Sequence, residues 1–293
     1  MESTTRAPII VGLDGSAGAD AALTWAAEAA HRRGVRLRLV HATELTASAG
    51  RTADRALPVE TVGDMSWSVL TMALVDLEDA DLAVETHLGS GYPTTVLLQQ
   101  AQGAQMVVLG SRGHGAFVSL LLGSTSLQVA MHAPCPVVVV RPGAAPDASE
   151  ARSVGQIVVG VDGSELSDAA VRFAFEEADS RGVGLTGVHA WLTPPVDLDA
   201  TGAEPWQAAE QEERALLSAR LARWSDKYPD VAVRQHVVRA DPVSALVAES
   251  AGALLTVVGS RGAGGFTGLL LGSVSHAVLH HAGSPVAVVR TTR

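Results

Sequence analysis

The sequence has almost no cysteine and almost no lysine. Cys135 is the one cysteine among 293 residues, and Lys227 is the one lysine. A single cysteine excludes an internal disulfide, so the fold cannot depend on oxidation and a reducing compartment fits best. Cys135 lies just before the apolar run 137–140, and we interpret it as a small packed residue rather than a reactive thiol.

A long apolar run is also missing. The apolar run 9–13 meets Asp14 too soon to form the core of a signal peptide. No segment approaches the ~20 apolar residues that a membrane-spanning helix needs. We therefore expect a cytoplasmic protein with no membrane partner.

Positive charge is in deficit as well. The 21 basic residues are outnumbered by 31 acidic ones, which gives a net charge of −10 at pH 7. This balance excludes a general electrostatic surface for nucleic acid. A local anion site remains open, because backbone amides and helix N-termini attract phosphate without any net positive charge.

The sequence does contain a long internal repeat. Residues 11–16, VGLDGS, return as VGVDGS at 159–164, an offset of 148. At an offset of 149, residues 110–141 match residues 259–290 at 20 of 32 positions. A repeat of this length is a whole domain and not a stacking unit of a solenoid. We place the first domain at 1–141 and the second at 156–293, joined by a linker at 142–155 that is rich in proline, glycine and small polar residues.

Short β-branched runs alternate with longer helical patterns in each copy. In the first copy we expect strands at 9–13, 35–40, 82–87, 106–109 and 137–140, with helices at 18–33, 63–79, 94–102 and 123–132. In the second we expect strands at 157–161, 183–188, 231–238, 254–258 and 286–289, with helices at 167–181, 206–227, 242–251 and 272–281. Segments 43–62 and 191–205, which contain prolines, are predicted to be loops.

Apolar strands joined by helices predict an α/β fold, because strands of a parallel sheet are buried on both faces. We expect two similar doubly wound domains, each a five-stranded parallel sheet of order 3-2-1-4-5 flanked by helices. In such a sheet, ligands bind beyond the carboxyl ends of the strands. The residues that directly follow strands are therefore the ones that predict function.

Two strand ends in each copy carry a pattern suited to phosphate. Strand one ends at Asp14, and strand four runs into GSRG at 110–113, followed after nine residues by GSTS at 123–126. The second copy has Asp162, GSRG at 259–262 and GSVS at 272–275. Glycines let a backbone approach a ligand closely, and free amides at a helix start attract negative charge. This pattern predicts a phosphate cradle, with Arg112 and Arg261 as its cations.

An alternative reading needs no ligand at all. Glycines also form ordinary tight turns, and serine after glycine is a common helix cap, so the hydroxyls of Ser124 and Ser126 could either cap the fourth helix or donate to phosphate. Asp-Gly-Ser is likewise a good turn sequence, so Asp14 and Asp162 could be turn acids. P-loop chemistry is excluded, because no Gly-x-x-x-x-Gly-Lys-Ser/Thr occurs, and no Gly-x-Gly-x-x-Gly follows strand one.

With these motifs in place, the sequence resembles a tandem universal stress protein. The family's signature is an aspartate at the end of strand one together with Gly-x-x-Gly, nine residues, and Gly-Ser/Thr. It is met by Asp14, Gly110, Gly113, Gly123 and Ser124, and again by Asp162, Gly259, Gly262, Gly272 and Ser273. The resemblance implies one ATP in each domain, with Mg²⁺ as a companion ion that Asp14 or Asp162 could help to hold.

The resemblance also implies which residues surround each nucleotide. Adenine and ribose would lie near Gly12, Asp14, Val40 and His41 in the first domain, and near Gly160, Asp162, Val188 and His189 in the second. The first phosphate site would comprise Gly110, Ser111, Arg112, Gly113, His114, Gly115, Ala116, Gly123, Ser124, Thr125 and Ser126. The second would comprise Gly259, Ser260, Arg261, Gly262, Ala263, Gly264, Gly265, Gly272, Ser273, Val274 and Ser275.

Other polar groups favour structural roles. His41 and His189 are each predicted to end strand two, where a packing or backbone-bonding role is favoured over a general base because neither has a nucleophile partner in the sequence. The acidic stretch 210–214 is interpreted as a solvated helix face on which Glu210 pairs with Arg214.

We therefore expect an ATP-binding regulatory protein of stress or growth control. The alternatives are a slow ATPase or nucleotidyl-transfer enzyme of the same fold group, and a module that has lost its nucleotide. The intact motifs in both halves argue against the last. The apolar terminal strands 137–140 and 286–289 would lie at sheet edges and are expected to pair the two halves. A homodimer and a signalling partner of unknown identity are further candidate partners.

Overall fold

The computed structural model describes residues 6–43, 59–113, 122–143, 155–164, 167–192, 204–262 and 270–291. The chain divides into two compact units, Met1–Ala145 and Pro146–Arg293. Each unit has a parallel sheet and helices, so the predicted α/β class is confirmed.

The first unit has five described strands in parallel pairing. The strands are β1 Ile9–Gly12, β2 Leu37–Thr43, β3 Val84–Ser90, β4 Met106–Gly110 and β5 Val137–Val140. The helices are α1 Ala17–Arg33, α2 Val59–Asp76, α3 Pro93–Gln100 and α4 Ser124–His132. The strand order is β3-β2-β1-β4-β5, as predicted.

The second unit repeats this plan. Its strands are β6 Ile157–Gly160, β7 Leu185–Trp191, β8 Val233–Arg239, β9 Leu255–Gly259 and β10 Val286–Val289. Its helices are α5 Asp168–Arg181, α6 Glu204–Ser225, α7 Pro242–Ser250 and α8 Ser273–His281. The order β8-β7-β6-β9-β10 has the same topology as the first sheet.

The central strands form the core of each unit. Ile9, Ile10 and Val11 of β1 have no exposed surface, because helices cover both faces of the sheet. Small residues such as Ala22 and Ala26 let α1 lie close to the strands. Burying one aliphatic side chain of this size contributes about 1.5–3 kcal/mol.

Helix α1 has sequence signals at both ends that set where it begins and where it ends. Ser16 caps its start by accepting a hydrogen bond from the backbone N of Ala19. Gly34 ends it in the left-handed conformation, with φ of 60°. Basic residues in the last turn, Arg32 and Arg33 among them, complement the helix dipole.

The ends of the two segments that were expected to be loops belong to strands and helices. Thr43 extends β2 because it pairs with Ser90 of β3, and residues 59–62 already belong to α2. Trp191 likewise belongs to β7, and residues 204–205 belong to α6. Residues 44–58 and 193–203 lie outside the described residues, as does most of the predicted linker at 142–155, which stays a prediction. Within the described ranges, none of the helices combines the length and hydrophobicity of a membrane span.

Candidate functional site

A cavity opens at the carboxyl edge of each sheet. In the first unit it lies beyond the ends of β1 and β4, where the strand order reverses, and has a volume of about 450 Å³. Its counterpart in the second unit lies beyond β6 and β9 and has a volume of about 470 Å³. Small-molecule sites typically span about 300–1,000 Å³, and this strand-order switch is where open α/β sheets bind ligands.

Most of the predicted site residues line these cavities. Those in the first are Gly12, Asp14, Val40, His41, Gly110, Arg112, Gly113, Gly123, Ser124, Thr125 and Ser126. Those in the second are Gly160, Asp162, Val188, Gly259, Arg261, Gly262, Gly272, Ser273, Val274 and Ser275. His114, Gly115, Ala116, Ala263, Gly264 and Gly265 lie outside the described residues.

Ser111 and Ser260 are not among the residues that line the cavities, and their contact with a nucleotide stays a prediction. Ser111 is buried, its backbone N donates to Val140 O over 2.7 Å, and its carbonyl accepts from Gly123 N over 2.7 Å. Ser260 makes the equivalent pair of backbone bonds. These residues tie the strand-four loop to strand five and to the start of the following helix, which is a positioning role.

The two equivalent histidines lie inside their strands rather than at the strand ends. The Nδ1 of His41 lies 2.7 Å from Leu13 O, and the Nδ1 of His189 lies 2.6 Å from Val161 O. A carbonyl only accepts, so each Nδ1 donates its proton. The predicted backbone-bonding role is therefore present in both units, and His41 also lines its cavity.

His189 differs from His41 in being buried, whereas His41 is only partly so. Its Nε2 lies 2.8 Å from Oε2 of Glu213 on α6. Glu213 therefore does not belong to a fully solvated helix face, which corrects one expectation, whereas nucleotide contact by His189 stays a prediction. The predicted pair on the same helix is confirmed, with 2.8 Å between Arg214 and Glu210.

Asp14 builds the turn that follows β1. Its Oδ1 accepts from the backbone N of Ser16 over 3.0 Å and from the Ser16 hydroxyl over 2.6 Å. Gly15 has a φ of 79°, a left-handed conformation that favours glycine. Asp162 repeats both bonds with Ser164. The turn role is thus real, and the same carboxylates line the cavities.

The second glycine of each GSRG sequence lies directly against this carboxylate. A Cβ built on Gly113 would overlap Oδ2 of Asp14, and one built on Gly262 would overlap Oδ2 of Asp162. Any side chain there would displace the aspartate or the loop. The glycine therefore packs the loop after strand four against the turn after strand one, and both segments line the cavity.

The helix that starts at the cavity has no side-chain cap. Gly123 precedes α4 and Gly272 precedes α8, and neither offers a side chain to the first helical amides. Such amides carry the positive end of the helix dipole and are suited to an anion. Ser126 and Ser275 neither cap nor face outward, because their hydroxyls donate to the carbonyls of Gly110 and Gly259 over 2.7 Å and 2.5 Å.

Each cavity also has an apolar part that no sequence motif indicates. In the first unit it includes Ala42 at the end of β2 and Pro93 and Leu97 on α3. The second unit has Ala190, Pro242 and Leu246 at the same positions. In the sequence these residues look like ordinary core positions. No local motif marks them as part of a site.

Two further observations concern reactive groups. Cys135 is buried, and burial raises the pKa of its thiol to about 11, which agrees with the predicted packing role. Among the described residues, no three His, Cys, Asp or Glu side chains come together as a metal cluster.

Comparisons with known proteins identify relatives along the whole chain. A model of the universal stress protein family matches residues 5–141 and 154–290. A universal stress protein of Mycolicibacterium smegmatis is 38% identical over 300 residues, covering 99% of this chain and 99% of that protein. One from Mycobacterium tuberculosis strain H37Rv is 40% identical over 293 residues, covering 96% of each. Among solved structures, a universal stress protein of Archaeoglobus fulgidus matches with a TM-score of 0.69 at 21% identity, over 98% of this chain and 99% of that one, which shows a shared fold.

Proposed function

The chain belongs to the universal stress protein family, and on that premise we propose that it binds one ATP in each of its two domains and acts as a nucleotide sensor or buffer in stress or growth control. One observation carries the proposal. The same cavity, apolar at one end and lined by a helix start at the other, occurs at the equivalent edge of both sheets.

The apolar end suits a nucleobase. In the first unit, Val40, Ala42, Pro93 and Leu97 form a surface with no charged side chain. A planar base gains from burial against such a surface, at roughly 25 cal/mol per Å² of apolar area. The second unit offers the same surface with Val188, Ala190, Pro242 and Leu246.

The opposite end suits phosphate. The uncapped start of α4 lies close to the loop after β4, because a Cβ built on Gly123 would be 3.8 Å from Arg112 Cα and 4.0 Å from Gly113 N, and all three residues line the first cavity. Backbone amides and a guanidinium bind phosphate oxygens without the chain as a whole being basic. This arrangement is local, so the net charge of −10 does not oppose it.

A magnesium ion fits only as a companion of the phosphates. Mg²⁺ is usually held by one or two carboxylates together with substrate phosphates and water. Asp14 or Asp162 supplies one carboxylate per cavity, whose Oδ1 already accepts two hydrogen bonds from a serine. The aspartate would therefore share the ion with ATP, and binding should tighten modestly when Mg²⁺ is added.

The first experiment identifies the bound molecule. The full chain is purified without added nucleotide, and any small molecule released by denaturation is identified by chromatography and mass spectrometry. We expect ATP or its breakdown product ADP. If nothing is released, and if added ATP also fails to bind in a titration, the proposal is wrong.

A time course then separates binding from catalysis. Purified protein is mixed with ATP and Mg²⁺, and ADP is followed over hours beside a protein-free control. Retention of intact ATP supports the sensor or buffer role. Steady multiple turnover would favour the ATPase alternative. Pairing of the two halves, a homodimer, a signalling partner and a cytoplasmic location stay predictions from the sequence.

A further inference from the structure

Helix α2 of the first unit presents an apolar face to solvent. On its inner side Leu70 is fully buried. Four large apolar side chains are exposed on its outer side: Trp67 by 52%, Met72 by 69%, Leu74 by 40% and Val75 by 62%. A helix turns by about 100° per residue, so Trp67, Leu74 and Val75 share an arc of about 100°, and Met72 adjoins it. We call these four residues the α2 face.

The α2 face is continuous rather than a set of scattered residues. Its four side chains expose on the order of 400 Å² to solvent, within the range of about 300–600 Å² that the largest apolar patch of a monomer reaches when it is often functional. Residues 66–75 contain no charged side chain. The face is therefore suited to another apolar surface.

The equivalent helix of the second unit does not have such a face. Helix α2 packs on β2 and β3, and α6 packs on β7 and β8 in the same way. The exposed side chains of α6 include Glu210, Glu212, Arg214 and Arg223, all of them charged. This place in the fold does not require an apolar exterior, so the α2 face is a property of the first unit's own sequence.

Negative charge collects at the C-terminal end of the α2 face. Asp76 ends α2, and Glu78, Asp79 and Asp81 follow it, with all four side chains exposed. We call residues 76–81 the acidic end. The last turn of α2 has no basic residue, whereas that of α6 has Arg223. A helix C-terminus carries partial negative charge, so these acids repel both the helix dipole and one another. A basic partner would relieve that repulsion.

We propose that the α2 face and the acidic end dock a helical segment of another protein, one with an apolar face and with basic residues at one end. Amphipathic helices bind apolar surfaces through side chains spaced three or four residues apart. The basic residues would lie against the acidic end, where complementary charge speeds the encounter and fixes the orientation of the helix. This docking site lies outside the nucleotide cavities and does not depend on the proposed function.

A second copy of this chain fits the surface less well. In a symmetric pair the α2 face of each copy would cover the other. Residues 59–81 contain several acids but no Lys, Arg or His, so a second α2 offers no positive charge to the acidic end in either orientation. An anionic membrane would be repelled for the same reason. The charges therefore favour a separate, basic partner.

The first test uses a model helix as the probe. A fluorescein-labelled peptide of about 18 residues, or five turns, carries leucines along one face and four arginines at one end. A matched peptide carries glutamates in place of the arginines. Fluorescence anisotropy follows the binding of each to the full chain. We expect a dissociation constant of about 1–100 µM for the arginine peptide, because the α2 face is smaller than the ~800 Å² per partner of a standard interface. The glutamate peptide should bind at least about tenfold more weakly.

The second test changes the apolar part. Trp67→Gln with Val75→Gln should weaken binding of the arginine peptide at least about tenfold, because buried aromatic anchors carry much of the affinity of an interface. Leu192→Gln is the matched control, since Leu192 is 67% exposed in the second unit and should leave the affinity unchanged.

The third test changes the charge. Asp79→Asn with Asp81→Asn should weaken binding about threefold and make it less sensitive to salt. Asp226→Asn with Asp230→Asn removes two exposed acids that follow α6 and should change neither property. All of these positions are exposed, so the variants should keep the fold. If circular dichroism shows that the Trp67 variant unfolds, the charge variants decide.

Several results would overturn the proposal. It is wrong if the arginine peptide fails to bind below about 1 mM, if both peptides bind equally, or if each control variant weakens binding as much as its partner variant. Sedimentation velocity of the chain alone is a further check. A dimer that Trp67→Gln with Val75→Gln abolishes would assign the α2 face to a second copy instead. None of these measurements involves ATP, so their failure leaves the proposed function standing.

Discussion

Replacing Gly113 by alanine should disable the first cavity and leave the second intact. The new Cβ would overlap Oδ2 of Asp14, so the carboxylate or the loop must move. Moving the carboxylate breaks its bonds to the backbone N and hydroxyl of Ser16, at 3.0 Å and 2.6 Å. The turn after β1 and the end of β4 would then move apart. Both segments line the cavity, so its shape would change.

The magnitude follows from those two bonds. A hydrogen bond to a charged group contributes about 1.5–3 kcal/mol, and the lower end applies here because the turn is only partly buried. If about one such bond is lost when the nucleotide-binding geometry is kept, the affinity for ATP falls about tenfold. Gly262→Ala should do the same to the second cavity, because its Cβ would overlap Oδ2 of Asp162.

Isothermal titration with ATP measures this directly. Each single variant should keep one wild-type site, and the double variant should keep none. Gly283→Ala is the control, because its Cβ would meet its neighbours at 3.6–3.8 Å, an ordinary contact distance. Two wild-type sites in the Gly113→Ala variant would refute the reasoning.

Burial raises the pKa of the Cys135 thiol from 9.0 to about 11, so the thiol ionises at a lower pH in the unfolded chain than in the folded protein. The free energy of unfolding should therefore fall as the pH rises from 9 to 11. In the wild type this fall should exceed that in Cys135→Ala by on the order of 2 kcal/mol. Urea unfolding of both proteins at pH 8 and pH 10.5 measures the difference. An equal change in unfolding free energy between the two pH values in wild type and variant would count against the prediction. Ser16→Ala should destabilise the first unit by about 1 kcal/mol, because α1 loses its cap; thermal unfolding checks this. Ser126→Ala should cost about 1–2 kcal/mol, since Gly110 O loses a donor. Unchanged unfolding midpoints in urea would contradict that estimate.

The sheet could be predicted because its signals are local and occur twice. Runs such as 137–140 are apolar at every position, as a strand buried on both faces requires, and the structure has β5 at those residues. The ion pair Glu210–Arg214 is also predictable from the sequence, since residues four apart share one helix face. Strand ends are harder to predict, because Thr43 belongs to β2 only through its pairing with Ser90.

Contacts between residues far apart in the chain could not be predicted from the sequence. Glu213 looked like a solvated helix residue because nothing local places it against His189, 24 positions away. Pro93 and Leu97 looked like core residues, and only the packing of α3 beside β1 and β2 exposes them to the cavity.

For Gly113, the sequence predicts that a glycine is needed but not which group lies against it. A need for glycine at Gly113 was predicted from the motif, but the reason was thought to be the close approach of a ligand. In the structure the neighbour is the carboxylate of Asp14, in the same unit. The motif thus joins two strand ends, and the proposed phosphate cradle would depend on that junction.

The most direct test of the account is the number of ATP molecules that the full chain binds at saturation. Equilibrium dialysis with radiolabelled ATP, at a protein concentration well above the dissociation constant, counts them. We predict two per chain, one for each cavity. A plateau at one would contradict the claim that both domains bind, and the absence of any bound ATP would contradict the proposed function itself.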